Sequence, residues 1–386
     1  MKSNKIRLGE QCVVTSSKRF HLSERITQGV PFYCSKEIIK KFNGEDVTEC
    51  DYISEDLYKK VSNEFGVPKE NDLLITTRGT IGIPYLYKRT DRFYFADGNL
   101  TWIKDFDSNL YSKFLYYWFQ SYEGRKKFEA LAKGTAQKAV PISGIKTLEI
   151  ELPSLKSQKR IADILSAYDD LIENNRKQIK LLEEAAQRLY KEWFVNLRFP
   201  GHENTKIVDG GPEGWHRGTI GQIAEFKRGR TITKAQVKEG NVPVIAGGLE
   251  PAYYHNVANT KAPVITISAS GANAGFVRLY GVDVFASDCS FVDGLGTESL
   301  FFVYEFLKES KVSIDQLQKG SAQPHVYAKD INAMKITIPE KEYLERFDRY
   351  AKVYFNKIKT LQGQNERLKT ARNLLLPKLM SGEAEV

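Results

Sequence analysis

The residues of this chain best suited to hold another molecule are cations, several of them next to glycines. Lys18-Arg19, Arg78, Lys133 and Lys138 lie in the first half, and Lys227-Arg228-Gly229-Arg230 with Lys234 in the second. Lys and Arg bind phosphates, and Arg can also reach base edges, as can amide and imidazole side chains. That adds Gln137, Asn273, Gln323 and His325 as candidate DNA contacts, with the run Arg125-Lys126-Lys127 as a further basic patch. Bond-making chemistry is not signalled. The sequence has no glycine-rich phosphate loop ending in Gly-Lys-Ser/Thr, no Asp/Asn-Pro-Pro-Tyr/Phe motif, and no His placed beside a nucleophile and a carboxylate. Cys12, Cys34, Cys50 and Cys289 show no metal-ligand spacing, nor do the five histidines, so the reading is reduced thiols and no metal.

An internal repeat places most of these residues. Gly134 to Pro153 (GTAQKAVPISGIKTLEIELP) matches Gly320 to Pro339 (GSAQPHVYAKDINAMKITIP) without gaps at an offset of 186. Weaker echoes keep the same order in both halves. Ile75 to Gly82 finds a gapped counterpart in Ile265 to Gly275, and Phe95-Ala96-Asp97 in Phe285 to Asp288. Between them lie short β-type runs such as Asp72 to Thr77 and Pro263 to Ile267, punctuated by Gly, Asn and Asp. The expectation is a duplicated domain of mixed α/β structure.

Each copy leads into a long helical pattern. In the first, Ile161, Leu165, Tyr168, Ile172, Asn175, Ile179, Leu182, Leu189 and Trp193 fall on one heptad seam. In the second, Phe347, Tyr354, Leu361, Leu368 and Leu375 form one row and Ala351, Ile358 and Leu379 the other, with Asn365 and Arg372 interrupting. A buried amide at a seam fixes register, which is the role expected of Asn175. Some 37 residues of helix make a rod of roughly 55 Å. An intramolecular pair must run antiparallel, because the first helix leaves one domain and ends at the other. Pro377 is expected to bend or end the second helix early.

The fold class expected is therefore α+β: two mixed α/β recognition domains (1–153 and 200–339) and two long helices (154–199 and 340–386) forming an antiparallel coiled coil, with internal pseudo-two-fold symmetry. The 386 residues suit two domains, and 41% hydrophobic content supports real cores. No stretch reads as a signal peptide or membrane span, so a cytoplasmic protein without membrane contact is expected. The net charge of +9 suits a polyanionic partner, yet residues 200–339 carry 14 basic and 14 acidic side chains, so binding there must come from local clusters. Two unlike domains on a ruler point to duplex DNA with a bipartite, asymmetric site. The rival class is a coiled-coil scaffold whose ends bind proteins.

Two segments resemble the specificity subunits of type I restriction-modification systems. The stretch IELPSLKSQKRIADILSAYDDLIENNRKQIKLLEEAAQRLYKEWFVNLRFPG is similar to that family's central region, and ERLKTARNLLLPKLMSGE to its distal one. The resemblance covers essentially the whole chain. It implies a non-catalytic, DNA-reading subunit flanked by two modification (methyltransferase) subunits that bind S-adenosylmethionine and methylate adenine. It also implies a restriction/translocase subunit that uses ATP and Mg. Tyr190, Trp193 and Phe194, with Leu374 to Leu376 of the distal stretch, are the expected docking anchors for the modification subunits, since large aromatics often anchor interfaces; packing against the adjacent recognition domain is the alternative for Trp193.

Overall fold

The computed structural model describes residues 4–134, 138–208, 210–320 and 323–384. The chain falls into two units, and the division cuts both long helices: Met1–Asn174 with Asn365–Val386, and Asn175–Gln364.

The first unit contains β1 (Asn4–Arg7), β2 (Val13–Thr15), β3 (Val30–Tyr33), β4 (Asp51–Ile53), β5 (Leu73–Thr76), β6 (Pro84–Leu86), β7 (Tyr94–Phe95), β8 (Leu100–Lys104) and β9 (Glu149–Leu152). The second contains β10 (Ile207–Val208), β11 (Gly211–Pro212), β12 (His216–Thr219), β13 (Lys227–Arg228), β14 (Val242–Ile245), β15 (Tyr253–His255), β16 (Val264–Ser268), β17 (Val277–Tyr280), β18 (Phe285–Ala286), β19 (Cys289–Asp293) and β20 (Lys335–Ile338). The sheets repeat. The order β2-β8-β5-β6 in one unit becomes β13-β19-β16-β17 in the other, and β4-β3-β7 becomes β15-β14-β18. Even the strand directions agree: β3 pairs parallel with β7 and β14 parallel with β18, while the other pairs run antiparallel. The apolar runs of β5 and β16 are buried along their whole length, as strands covered on both faces require. A two-stranded pairing of an early strand with the last one, β1 with β9 and β12 with β20, closes each domain, while β10 and β11 of the second unit pair with each other.

The central helix spans Leu155–Tyr190 and continues for one wider π turn, Lys191–Val195. Its start is fixed by Ser154, whose hydroxyl accepts from the Ser157 N–H at 3.2 Å, and by Pro153 before it. Buried Gln158 then ties the first turn to the domain, accepting from the Tyr111 N–H and donating to the Asn109 and Pro153 carbonyls. The distal helix spans Lys341–Ser381, and Pro377 lies inside it. The expected early stop therefore does not occur. A helix-interior proline costs about 3 kcal/mol, but Leu379 beyond it is buried, and Leu375, Leu376 and Met380 pack on the same core, holding the last turn in place.

Within each unit the helix segments run antiparallel. In the first, Asp169 accepts from Arg372, and Leu379 shares a core with Ile161 and Leu165. In the second, Asn175 donates to Gln364 at 3.5 Å, while Tyr190 and Trp193 pack against Phe347. Of the seam residues, Ile161, Leu165, Ile172, Asn175, Phe347, Ile358, Leu361 and Asn365 are buried. Tyr168, Ile179, Leu182, Leu189, Tyr354, Leu368 and Leu375 are half-buried.

The second unit also buries a carboxyl. Glu305, on the helix Leu300–Glu309, is 2% exposed. Burial, with a smaller push from Glu183 and Glu309 and against the opposing charge of Lys308, raises its carboxyl to about 8. A raised folded value means that the native state holds a proton which the unfolded chain loses near its ordinary value of about 4.3. The stability contribution is thus complete on the acid side and disappears as pH rises through about 8. Glu305→Gln is expected to raise Tm by roughly 2–4 °C or more at pH 8.5 and to change it little at pH 5, as scanning calorimetry of the full chain can measure.

Candidate nucleic-acid interface

In each unit the central strand of the four-stranded sheet runs out into a glycine loop, and hydrogen bonding of that loop is duplicated. After β5, the Gly82 N–H donates to Thr76 O at 2.8 Å; after β16, the Gly275 N–H donates to Ser268 O at 2.9 Å. The repeated GTAQ and GSAQ stretches are pinned beside these loops. Lys133 and Ala139 exchange two backbone hydrogen bonds (2.8 and 3.0 Å), and so do Lys319 and His325 (2.9 and 2.8 Å). The residue after each pair is tied to the loop: Val140 N–H to Thr77 O at 2.9 Å, and Val326 N–H to Ala269 O at 3.0 Å. Gly134 and Gly320 have the same φ of 97°. A Cβ at Gly320 would lie 2.8 Å from the Gln323 carbonyl oxygen, so glycine is needed there for both conformation and space.

The bracket gathers several of the candidate contacts. Arg78 bridges Ala139, which itself pairs with Lys133, so Arg78, Lys133 and neighbouring Lys138 share one edge. Gln137 lies outside the described residues. Sheet register brings Lys18 and Arg19 to the same end, because Thr15 pairs with Trp102 on β8 and Leu100 of β8 with Thr76 at the end of β5. All five cations are exposed. None of them forms an ion pair among the described residues; Lys18 instead places its ammonium 4.6 Å over the Phe65 ring.

The second unit delivers different side chains to the same places. Ser270 bridges His325 where Arg78 bridges Ala139. Lys319, standing where Lys133 does, is neutralised by Asp330 at 2.8 Å. The Asn273 amide is tied to Gly247 O at 3.4 Å, Gln323 is exposed, and His325 stacks on Tyr327. Arg228 and Arg230 leave β13 at the sheet end that also holds Ser268 of β16. Lys227 and Arg228 project to opposite faces, as successive strand residues must, while Lys234 sits further along in the turn Lys234–Gln236.

Hydrogen bonding also corrects the alignment between the halves. The Ala96 N–H donates to Tyr33 O and the Ser287 N–H to Ile245 O, while the Thr77 N–H donates to Asn99 O and the Ala269 N–H to Asp288 O. Asn99, not Asp97, therefore occupies the position of Asp288. The first unit carries two extra residues, Asp97 and Gly98, in this turn. Neither Asn99 nor Asp288 was signalled as a contact by any motif; a two-residue gap in a short turn hid the pairing.

The docking role expected of Tyr190, Trp193 and Phe194 needs correction. Tyr190 and Trp193 are buried, and all three rings pack on Phe347, with Phe302 and Trp215 completing the cluster. These rings are core of the second unit, because its domain supplies the apolar surface that the helix alone lacks. Among the described residues no cluster of His, Cys, Asp and Glu could hold a metal ion, and no helix is long and apolar enough to cross a membrane. The buried thiols of Cys12 and Cys289 are both pushed up to about 12 by burial and are unreactive cores.

Comparison with known proteins agrees with the duplication. The family model described as the type I restriction modification DNA specificity domain matches residues 3–184 and 212–370. The type I restriction enzyme MjaIX specificity subunit of Methanocaldococcus jannaschii is 27% identical over 300 residues, 71% of this chain and 69% of that protein. The putative type I specificity subunit S.MgeORF438P of Mycoplasma genitalium is 26% identical over 327 residues, 82% of each chain. In fold, the chain is similar to the crystal structure of the type I restriction-modification S subunit from M. genitalium, with a TM-score of 0.63 at 19% identity, covering 98% and 96% of the two chains.

Gly320→Ala should strain the second bracket by about 1–3 kcal/mol. Hydrogen exchange at the Lys319 and His325 amides is expected to accelerate, with exchange in the first unit unchanged.

Proposed function

This chain belongs to the type I restriction-modification DNA specificity family, and from that premise we propose that it reads a bipartite, asymmetric DNA site, one half-site per domain. The observation that carries the reading is the pair of backbone brackets: matched in hydrogen bonding, yet Arg78, Lys138 and Ala139 at one are replaced by Ser270, Pro324 and His325 at the other. Like backbones suit two similar ways of approaching a duplex; unlike side chains suit two unrelated sequences. Unpaired cations at Lys18, Arg19, Arg78, Lys133 and Lys138 support phosphate contact in the first half, and Arg228 and Arg230 in the second.

Catalysis, in this reading, resides in partner subunits. Two modification subunits would bring S-adenosylmethionine and methylate adenine, and a restriction subunit would bring ATP and Mg. Exposed leucines on the long helices, Leu171, Leu181 and Leu374, offer better docking surface than the buried aromatics. Mapping of methylated adenines in the host with and without this gene tests the proposal. A bipartite asymmetric motif is expected to be methylated only when the gene is present; an unchanged methylation map would refute it.

The helices act as the ruler between half-sites. Inserting four residues at Leu181 adds about 6 Å of helix. The mapped motif is expected to keep both half-sites and change the number of bases between them. Altered half-site sequences with constant spacing would contradict the ruler.

A further inference from the structure

Asn99 and Asp288 stand at equivalent points of the two domains, each at the start of a central sheet strand and each joined by its carbonyl to the bracketed glycine loop. Both are half-buried. Both side chains have unused hydrogen-bonding capacity. Asp288 takes one hydrogen bond, from the Ser270 hydroxyl to Oδ2, and Oδ1 has no partner among the described residues. Among those residues the carboxylate has no ion pair, although Arg228 and Arg230 leave the same end of the sheet. The side-chain amide of Asn99 makes no hydrogen bond among the described residues, only its carbonyl being engaged, by Thr77 and by Ser35.

A carboxylate held at the end of the domain where cations collect is repelled by phosphates, so it fits a DNA surface only opposite a hydrogen-bond donor. The major groove offers two such donors, the cytosine N4 and adenine N6 amino groups, and a carboxylate typically pairs with cytosine. An asparagine amide both accepts and donates, and matches adenine N6 and N7 together. We infer that Asp288 and Asn99 are specificity-determining residues, Asp288 reading a cytosine amino group in one half-site and Asn99 an adenine in the other. This inference rests on the DNA-reading function proposed above.

The supporting geometry differs between the units. Ser270 and the Asn273–Gly247 hydrogen bond hold the loop beside Asp288, and Gly247 packs closely there: a Cβ on it would lie 2.8 Å from Ser270 O and 3.6 Å from Oδ2. In the first unit the extra Asp97-Gly98 turn, with Gly98 at φ 69°, advances Asn99 to the same point.

The test is selection of bound duplexes from a randomised pool by the full chain in complex with its modification subunits, for the wild type, Asp288→Asn and Asn99→Asp. The wild-type complex is expected to enrich a bipartite motif. Asp288→Asn should move one position of one half-site from cytosine towards adenine, and Asn99→Asp one position of the other from adenine towards cytosine, each by about tenfold or more. The other half-site serves as the folding control within each variant. A wild-type motif that both variants leave unchanged overturns the inference alone, as does a uniform loss of affinity for every duplex, which would assign the residues to loop support. A wild-type complex that enriches no motif overturns the functional reading with it.

Discussion

Two helices with narrow apolar rows cannot bury those rows against each other alone, and the rest of the structure follows from how each unit completes the burial. In the second unit the domain supplies Phe302 and Trp215 to a cluster with Tyr190, Trp193, Phe194 and Phe347. Each such side chain taken from water contributes about 1.5–3 kcal/mol, so the domain is fixed on its helices by hydrophobic packing. The first unit uses more polar means. Asp169 accepts from the Tyr117 hydroxyl at 2.7 Å as well as from Arg372, and Lys88 of the domain pairs with Glu173 of the helix. Arg372, which reads as an interruption of the apolar row, is thus the partner of a half-buried carboxylate. The buried amides Asn175 and Asn365 add direction to a seam that apolar residues would hold in several registers.

Backbone and side chains diverge differently after a duplication. Hydrogen bonds between peptide groups do not depend on side-chain identity, so the brackets Lys133–Ala139 and Lys319–His325 survive the replacement of Lys138 by Pro324 and of Ala139 by His325. Side chains projecting from those brackets are under no such restraint. Arg78 gives way to Ser270, and a lone Lys133 to an ion-paired Lys319. The electrical neutrality of residues 200–339 has its local counterpart here, in cations neutralised or replaced at the positions where the first domain leaves them uncovered.

What could be read from the sequence was what periodicity encodes. The heptads located both long helices and most of the seam, and the ungapped repeat located the brackets, because these features keep constant spacing. Tyr190 and Trp193 are buried in the core and Phe194 packs against it, where the sequence suggested docking anchors, since periodicity shows that a side chain must be buried, not by what. Pro377 was misread because the local cost of a proline was weighed without the core that holds Leu379. Asn99 was invisible because equivalence in a turn is defined by the hydrogen bonds of its carbonyl, and two inserted residues displaced the letters that would have aligned.

The uneven charge of the two domains then acquires a physical meaning. Cations facing phosphates contribute affinity that is indifferent to sequence and weakened by salt. A hydrogen-bonding group facing a base edge contributes little affinity but a large penalty for the wrong base, because its desolvated atoms are left unpaired. On the reading proposed above, a domain rich in unpaired Lys and Arg binds first and loosely, whereas one that presents Asp288 gains from contact only when the sequence supplies a donor. In that reading the weakly discriminating half, carried on the same chain, raises the local concentration of DNA at the demanding half. Asymmetry in charge is in this way compatible with symmetry in fold, and the proposed division of labour would let a chain of modest net charge bind a polyanion selectively.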